Sequence, residues 1–383
     1  MIQDKQYLMI PGPTPVPPAV MAAMSRPIIG HRTDEFADMH KRIVERLRIV
    51  FQTKNDIFVL THSGTGGMET AVANAVEPGD KVLSLVTGNF GERFAKIARA
   101  YGADVEELQF GWGNCVDLKA VKEKLSANSY KLVLATQNET STGVINDIAG
   151  IGSLVAKTPA LFLVDGVSGV GGIEIKMDEW NVDILVTASQ KAMMLPPGLA
   201  MVAVSPKAWR TVESNASPRF YFSLPAAKKS YEKWNTAYTP GVSLFAGLDA
   251  ALDMMMTEGM ENVYVRHRLL ARATRAAAKA LGLKLFARDE YASPVITSIE
   301  SPEGIDGDSI RKVLKKEFGV TFAGGQGILK GKIFRIAHMG FADKMDVIIA
   351  VSALEMALAR IGHPVELGSG VRAAQQVLLE GDD

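Results

Sequence analysis

One cysteine, Cys115, is all the sulfhydryl chemistry available to 383 residues. A single thiol excludes intrachain disulfides, iron–sulfur clusters and cysteine-rich zinc sites, and it fits a reducing compartment. Net charge is also missing. With 42 Lys+Arg against 42 Asp+Glu, no overall field draws the chain to nucleic acid or to an anionic membrane. The one basic stripe, Arg268, Arg272, Arg275 and Lys279, reads as the solvated face of a helix. No apolar run reaches membrane-spanning length. The opening Met-Ile-Gln-Asp-Lys lacks the apolar core of a secretion signal, so a cytoplasmic location is expected. Internal repeats and low-complexity tracts are absent too. What remains, 47% hydrophobic and 22% charged, is an ordinary globular composition with room for two domains.

Proline crowds residues 7–18, which predicts an extended arm, because a ring at every second or third position forbids a helix. Phe36, Met39, Ile43, Leu47 and Val50 then recur at helical spacing over Glu35–Phe51. Beyond that point short apolar runs alternate with helical patterns. Strands are predicted at Ile57–Thr61, Lys81–Val86, Val105–Leu108, Leu132–Thr136, Ala160–Val164, Ile184–Thr187 and Leu199–Val204, with helices between many of them. Continuous apolar strands separated by helices imply an α/β domain with a mostly parallel seven-stranded sheet, covered by helices on both faces. Ligands of such sheets bind beyond the carboxyl ends of the strands. Strands at Val295–Ile299 and Ile333–Ala337, among helices, imply a smaller C-terminal α+β domain, and the tail after Pro364 reads as peripheral. The expected division is an arm (1–18), a large domain (19–258) and a small domain (259–383).

The polar motifs fall at those strand ends. Asp183–Pro206 sets Lys191 between two apolar strands, on a loop held out of helix by Pro196-Pro197-Gly198. A buried ammonium is costly unless it is neutralised or used, and its usual use is a Schiff base with an aldehyde cofactor. Ser63-Gly-Thr-Gly-Gly67 follows a strand and opens a helix, the geometry of a phosphate site or of a plain tight turn. It has neither Walker nor dinucleotide spacing. Asp165 closes another strand, where a carboxylate needs a cation, either an ion-pair partner or the protonated pyridine nitrogen of pyridoxal phosphate. Phe90 could lie on a flat cofactor or pack in the core. Thr140, in Asn138-Glu-Thr-Ser-Thr-Gly143, offers a hydroxyl. Arg335, within an apolar strand, could fork onto a substrate carboxylate or snorkel to the surface.

Taken in chain order, these motifs are more specific than any one of them. With Pro11-Gly-Pro-Thr14, Gly30-His-Arg32, Glu77-Pro-Gly-Asp80 and above all Ser189-Gln-Lys191…Pro196-Pro-Gly198, the chain resembles the class V, fold-type I pyridoxal-phosphate aminotransferases of the alanine–glyoxylate and serine–glyoxylate group. The resemblance implies pyridoxal 5'-phosphate, with Lys191 bonded to it and Asp165 on its ring nitrogen. Thr65, Gly66, Gly67 and Gln190 would lie at the phosphate, with Phe90 and Thr140 against the ring. Arg335 and Gly12 would meet the substrate. It also implies a homodimer in which Tyr238 and Thr239 reach the partner's cofactor. Phe90 stands where some members have tryptophan, and Gly67 where some have histidine. The implied reaction is ping-pong transfer of an amino group from alanine or serine to glyoxylate or pyruvate. Two alternatives stand beside it. A related enzyme could act on aspartate or on a phosphorylated or phosphonate amino acid, with His31, Arg32 and Arg219 as cations for the extra charge. A non-catalytic, hydrogenase-associated subunit is the other.

Overall fold

A computed structural model describes residues 5–381. Its centre is a sheet of seven strands in the order Asp56–Leu60, Ala200–Val204, Ile184–Ala188, Leu161–Asp165, Leu132–Thr136, Lys81–Val86, Asp104–Gln109. All run parallel except Ala200–Val204, which lies antiparallel to both neighbours. Each strand is within one residue of its predicted bounds. The central three, from Leu132 to Ala188, are buried at every position, and strands covered on both faces become continuous apolar runs. One layer of core, with Phe36, Ile43, Leu47, Phe162 and Phe245, packs on one face; another, with Met68, Val72, Phe94 and Trp209, packs on the other.

The second sheet has four strands, ordered Tyr7–Met9, Val320–Gly324, Ile333–Ala337, Ile296–Glu300. The proline-rich arm therefore does not simply lie on the surface. Tyr7–Met9 adds a parallel edge strand to the C-terminal sheet. This is the expected large α/β domain with a smaller α+β domain, joined by the long helices Val242–Glu258 and Met260–Ala280.

The stretch after Val204 contains the helices Pro206–Ser214 and Leu224–Tyr231, each opened by a serine cap and an early proline. The tail is not peripheral. Helix Ser369–Glu380 buries Ala374 and Leu378 against Leu270, Ala273 and Val351. Among the described residues, no helix is long and apolar enough to cross a membrane.

Candidate active site

Five parallel strands end at one edge of the large sheet, and their loops carry Ser63–Gly67, Phe90, Thr140, Asp165 and Lys191. The small sheet closes over that edge with Gly324 and Arg335. A cavity of about 420 Å³ remains between them, lined in part by Pro11, Gly12, Phe90, Thr140, Lys191 and Arg335.

The lysine loop is tied at several points. Ser189 donates its hydroxyl to the Pro196 carbonyl (2.7 Å) and accepts from the Leu199 amide (3.1 Å). Met193 and Leu195 anchor the loop in the core with no exposed surface. The arm is pinned to it: the Thr14 amide donates to the Gln190 carbonyl (3.2 Å) and the Thr14 hydroxyl to the Lys191 carbonyl (2.9 Å). The Lys191 amine, half-buried, donates to the Pro11 carbonyl. Burial above all, then the charge of Arg335, lowers its pKa from 10.5 to about 8, although Asp165 pulls the other way. Gly12 gives the amine its room. Its φ is +143°, and a Cβ there would lie 2.5 Å from the Lys191 Nζ.

Asp165 is 2% exposed, and its Oδ1 accepts from the Val167 amide at 2.9 Å. Burial first, and the nearby charge of Glu139, push its pKa from 3.8 up to about 7, against the Val167 hydrogen bond and the charge of Lys191. A carboxyl in that condition is matched by a cation placed beside it. Gln190 supplies a second unmet demand, since its side-chain oxygen is buried without a hydrogen-bond partner among the described residues. Ser63 caps the helix Gly64–Ala75 by accepting from the Gly66 amide (3.3 Å). The first-turn amides of Gly64 and Thr65 lie beyond the intrahelical ladder, as an anion site requires. A side chain at Gly67 has no space: its Cβ would sit 2.8 Å from Val186 Cγ1 and 2.9 Å from Ala200 Cβ. These features fit a group with an aldehyde, a basic ring nitrogen and a phosphate.

Thr140 uses its hydroxyl internally, donating to Ser168 Oγ at 2.7 Å, while its carbonyl accepts from Arg335 Nη1 at 2.6 Å. Arg335, 3% exposed, also donates from Nε and Nη2 to the Gly324 carbonyl (2.9 and 2.7 Å), so its fork is fixed by backbone alone. Burial lowers its pKa to about 10. Tyr238 and Thr239 are not brought into this cavity. They line a separate pocket with His62, Tyr221 and Phe222. Arg32 bonds Asn235 Oδ1 and the Thr236 carbonyl, and Arg219 bonds Asn74 and the 215–217 turn. Neither lines the cavity, nor does His31.

Three residues at the site were missed in the sequence. Glu139, fully buried, accepts from the amides of Phe90 (3.0 Å), Gly91 (3.1 Å) and Ser141 (3.1 Å), holding the start of helix Asn89–Ala100 to the hydroxyl loop. Arg93 covers the Phe90 ring at 4.7 Å and donates to the Thr65 hydroxyl at 3.4 Å. Its i+3 spacing from Phe90 was the available signal. Arg311 lines the cavity from the small domain. Only its place on an amphipathic helix was readable, and that gives no hint of what it faces.

The model of the family described as Aminotransferase class-V matches residues 6–339. The chain belongs to the class V aminotransferases. Membership makes it a pyridoxal-phosphate-dependent enzyme, in keeping with the fit just described. This aminotransferase is 44% identical over 382 residues to a protein named soluble hydrogenase, small subunit, of Synechococcus, covering 98% of this chain and 99% of that one. It is 41% identical over 376 residues to the L-aspartate–glyoxylate aminotransferase of Paracoccus denitrificans, covering 96% and 95%. The crystal structure of the ureidoglycine–glyoxylate aminotransferase of Bacillus subtilis superposes with a TM-score of 0.94 at 33% identity, covering 98% and 99%.

Proposed function

We propose that this aminotransferase moves the amino group of an L-amino acid to glyoxylate or pyruvate by a ping-pong mechanism, with Lys191 as the proton carrier. The observation that carries this reading is the half-buried Lys191 amine, with a pKa lowered to about 8, sharing one cavity with the backbone-locked Arg335. Pyridoxal phosphate, when bound, supplies the aldehyde that takes up the amine and a ring that accepts electron density. The chain does the rest. Arg335 forks onto the α-carboxylate and orients the substrate. Lys191, neutral in part near pH 8, removes the α-proton and returns one on the way to product. Asp165 would keep the ring nitrogen protonated, and a cation there would offset the burial that raises its own pKa. Gly64–Gly67 and Gln190 would hold the phosphate end and Phe90 would pack against the ring, while Gly12 keeps the space around the amine open.

A small acceptor fits a cavity whose arm side is closed by Pro11 and Gly12, and two of the similar proteins carry glyoxylate in their names. Alanine and serine are the donors expected from the sequence. An acidic donor is the second reading, favoured by Arg311. The hydrogenase-like name attaches to a relative, and a scaffold would have no use for a depressed lysine beside a buried carboxylate.

The working unit in this proposal is a homodimer, with Tyr238 and Thr239 completing the partner's phosphate site. Their place in a separate pocket supports it, as does an exposed aromatic cluster in which Phe220 is 80% exposed and Tyr221 stacks on Tyr238 at 5.4 Å. Sedimentation velocity at assay concentration tests it: a monomeric species with full activity would sink the shared-site arrangement.

The transfer itself is tested by absorption spectroscopy of the purified, cofactor-loaded protein. A band near the visible edge should bleach on adding the L-amino acid and return with glyoxylate. A protein that stays colourless after incubation with pyridoxal phosphate overturns the reading.

A further inference from the structure

Arg311 projects from the small-domain helix Gly307–Phe318 into the wall of the cavity that holds Lys191 and Arg335. Its Nη1 lies 2.5 Å from where a Cβ on Gly324 would sit. The carbonyl of that same Gly324 accepts from Arg335 Nε and Nη2 at 2.9 and 2.7 Å. Two guanidinium groups thus flank the backbone of one residue, and a Cβ at 324 would press on the Arg311 end of that pair. Arg311 is tethered on one side, donating from Nε to the Phe322 carbonyl (2.9 Å) and from Nη1 to Asp308 Oδ1 (2.5 Å). Its Nη2 has no partner among the described residues, and the side chain keeps 33% of its surface exposed. One guanidinium suffices for the α-carboxylate of any amino acid. A second one on the same wall, with an unused donor, is surplus unless the ligand brings a second anion.

We propose that Arg311 receives the second carboxylate of a dicarboxylic amino acid, so that the preferred amino donor is acidic, of the aspartate type. The inference rests on the transaminase reading above and narrows it. Arg335 holds the α-carboxylate and Arg311 Nη2 the side-chain carboxylate, and the dianion offsets the repulsion between the two cations. Alanine or serine leaves Nη2 to water. Since Arg311 is partly exposed and shared with Asp308, removing it should cost an acidic donor about 10- to 100-fold.

The test has two arms. In the first, kcat/KM of the half-reaction is measured with L-aspartate and with L-alanine for the loaded wild type, Arg311→Gln and Arg311→Lys. The expected result is a wild-type preference for aspartate, an aspartate-to-alanine ratio lowered about 10- to 100-fold in Arg311→Gln, and partial recovery in Arg311→Lys. A wild type that prefers alanine, or a ratio unmoved by Arg311→Gln, overturns the assignment, since a merely structural role lowers both substrates together. In the second arm, the cofactor-free protein is titrated calorimetrically with succinate and with butyrate. Wild type should bind succinate more tightly, and Arg311→Gln should lose that advantage; equal binding by wild type overturns the proposal. Because the second arm needs no turnover, it still reads Arg311 if no amino acid bleaches the cofactor, an outcome that removes the transaminase reading alone.

Discussion

Replacing Gly12 with alanine pushes a methyl group against the working end of Lys191. The new Cβ would lie 2.5 Å from Nζ and 2.8 Å from both Cδ and Cε. Unstrained contacts between such atoms need roughly 3.5 Å, so the amine must retreat by about 1 Å. The stability cost stays small because the displaced atoms are the far end of a flexible side chain. Most of it comes from alanine held at the φ of +143°, for a total of about 1–3 kcal/mol. The catalytic cost is larger. A 1 Å misplacement of a reacting group lowers rate about 100-fold, equivalent to about 2.7 kcal/mol of barrier. Thermal unfolding and half-reaction kinetics at matched cofactor loading separate the two. The expected variant is folded, coloured and slow. A Gly12→Ala enzyme within about threefold of wild type would refute the packing reasoning, since the amine would then not need the space that glycine leaves.

Asp165→Asn should cut amino transfer by at least about 100-fold while stabilising the cofactor-free protein at pH 8 by roughly 1–3 kcal/mol. The sign follows from the raised pKa of about 7: Asp165 contributes stability below its unfolded value of 3.8 and loses it as pH rises through 7, so the gain should vanish in denaturant melts at pH 4. Lys191 runs the other way. Its folded pKa of about 8 lies below 10.5, so its burial cost is full below pH 8 and fades as pH rises toward 10.5. Uptake of pyridoxal phosphate by the cofactor-free protein, followed by absorbance, should accordingly level off just above pH 8; a rise continuing to pH 10 would show an ordinary solvated lysine. Glu139→Ala strands the half-buried Phe90 and buried Gly91 amides and should cost about 2–4 kcal/mol in urea unfolding, while Glu139→Gln retains part of that. Gly67→Ala meets Val186 and Ala200 with no flexible neighbour to give way, and should lower stability by about 1–3 kcal/mol in the same assay.

Much of this molecule follows from local sequence. The strands of the large sheet are apolar runs because both faces are covered, and burial on two sides leaves a mark that needs no partner to be read. The motifs at their ends stand out because glycine, proline and lone charges interrupt those runs. Lys191, Asp165 and the Ser63–Gly67 turn can therefore be singled out residue by residue, and the family signature in their order can be read. Tertiary structure decided the rest. Tyr7–Met9 is a strand only because Val320–Gly324 offers an edge, and the antiparallel sense of Ala200–Val204 leaves no periodicity. The tail helix is worth burying only once Met260–Ala280 and Lys344–Arg360 present a groove. Glu139, Arg93 and Arg311 look like any surface charge in the sequence, because burial, pKa and direction belong to the neighbours that distant segments supply. Sequence by itself determined which strands of the large sheet form and which chemical groups end them. Folding decided which charges face one another across Gly324, because proximity between residues far apart in the chain is a property of packing and not of any local pattern.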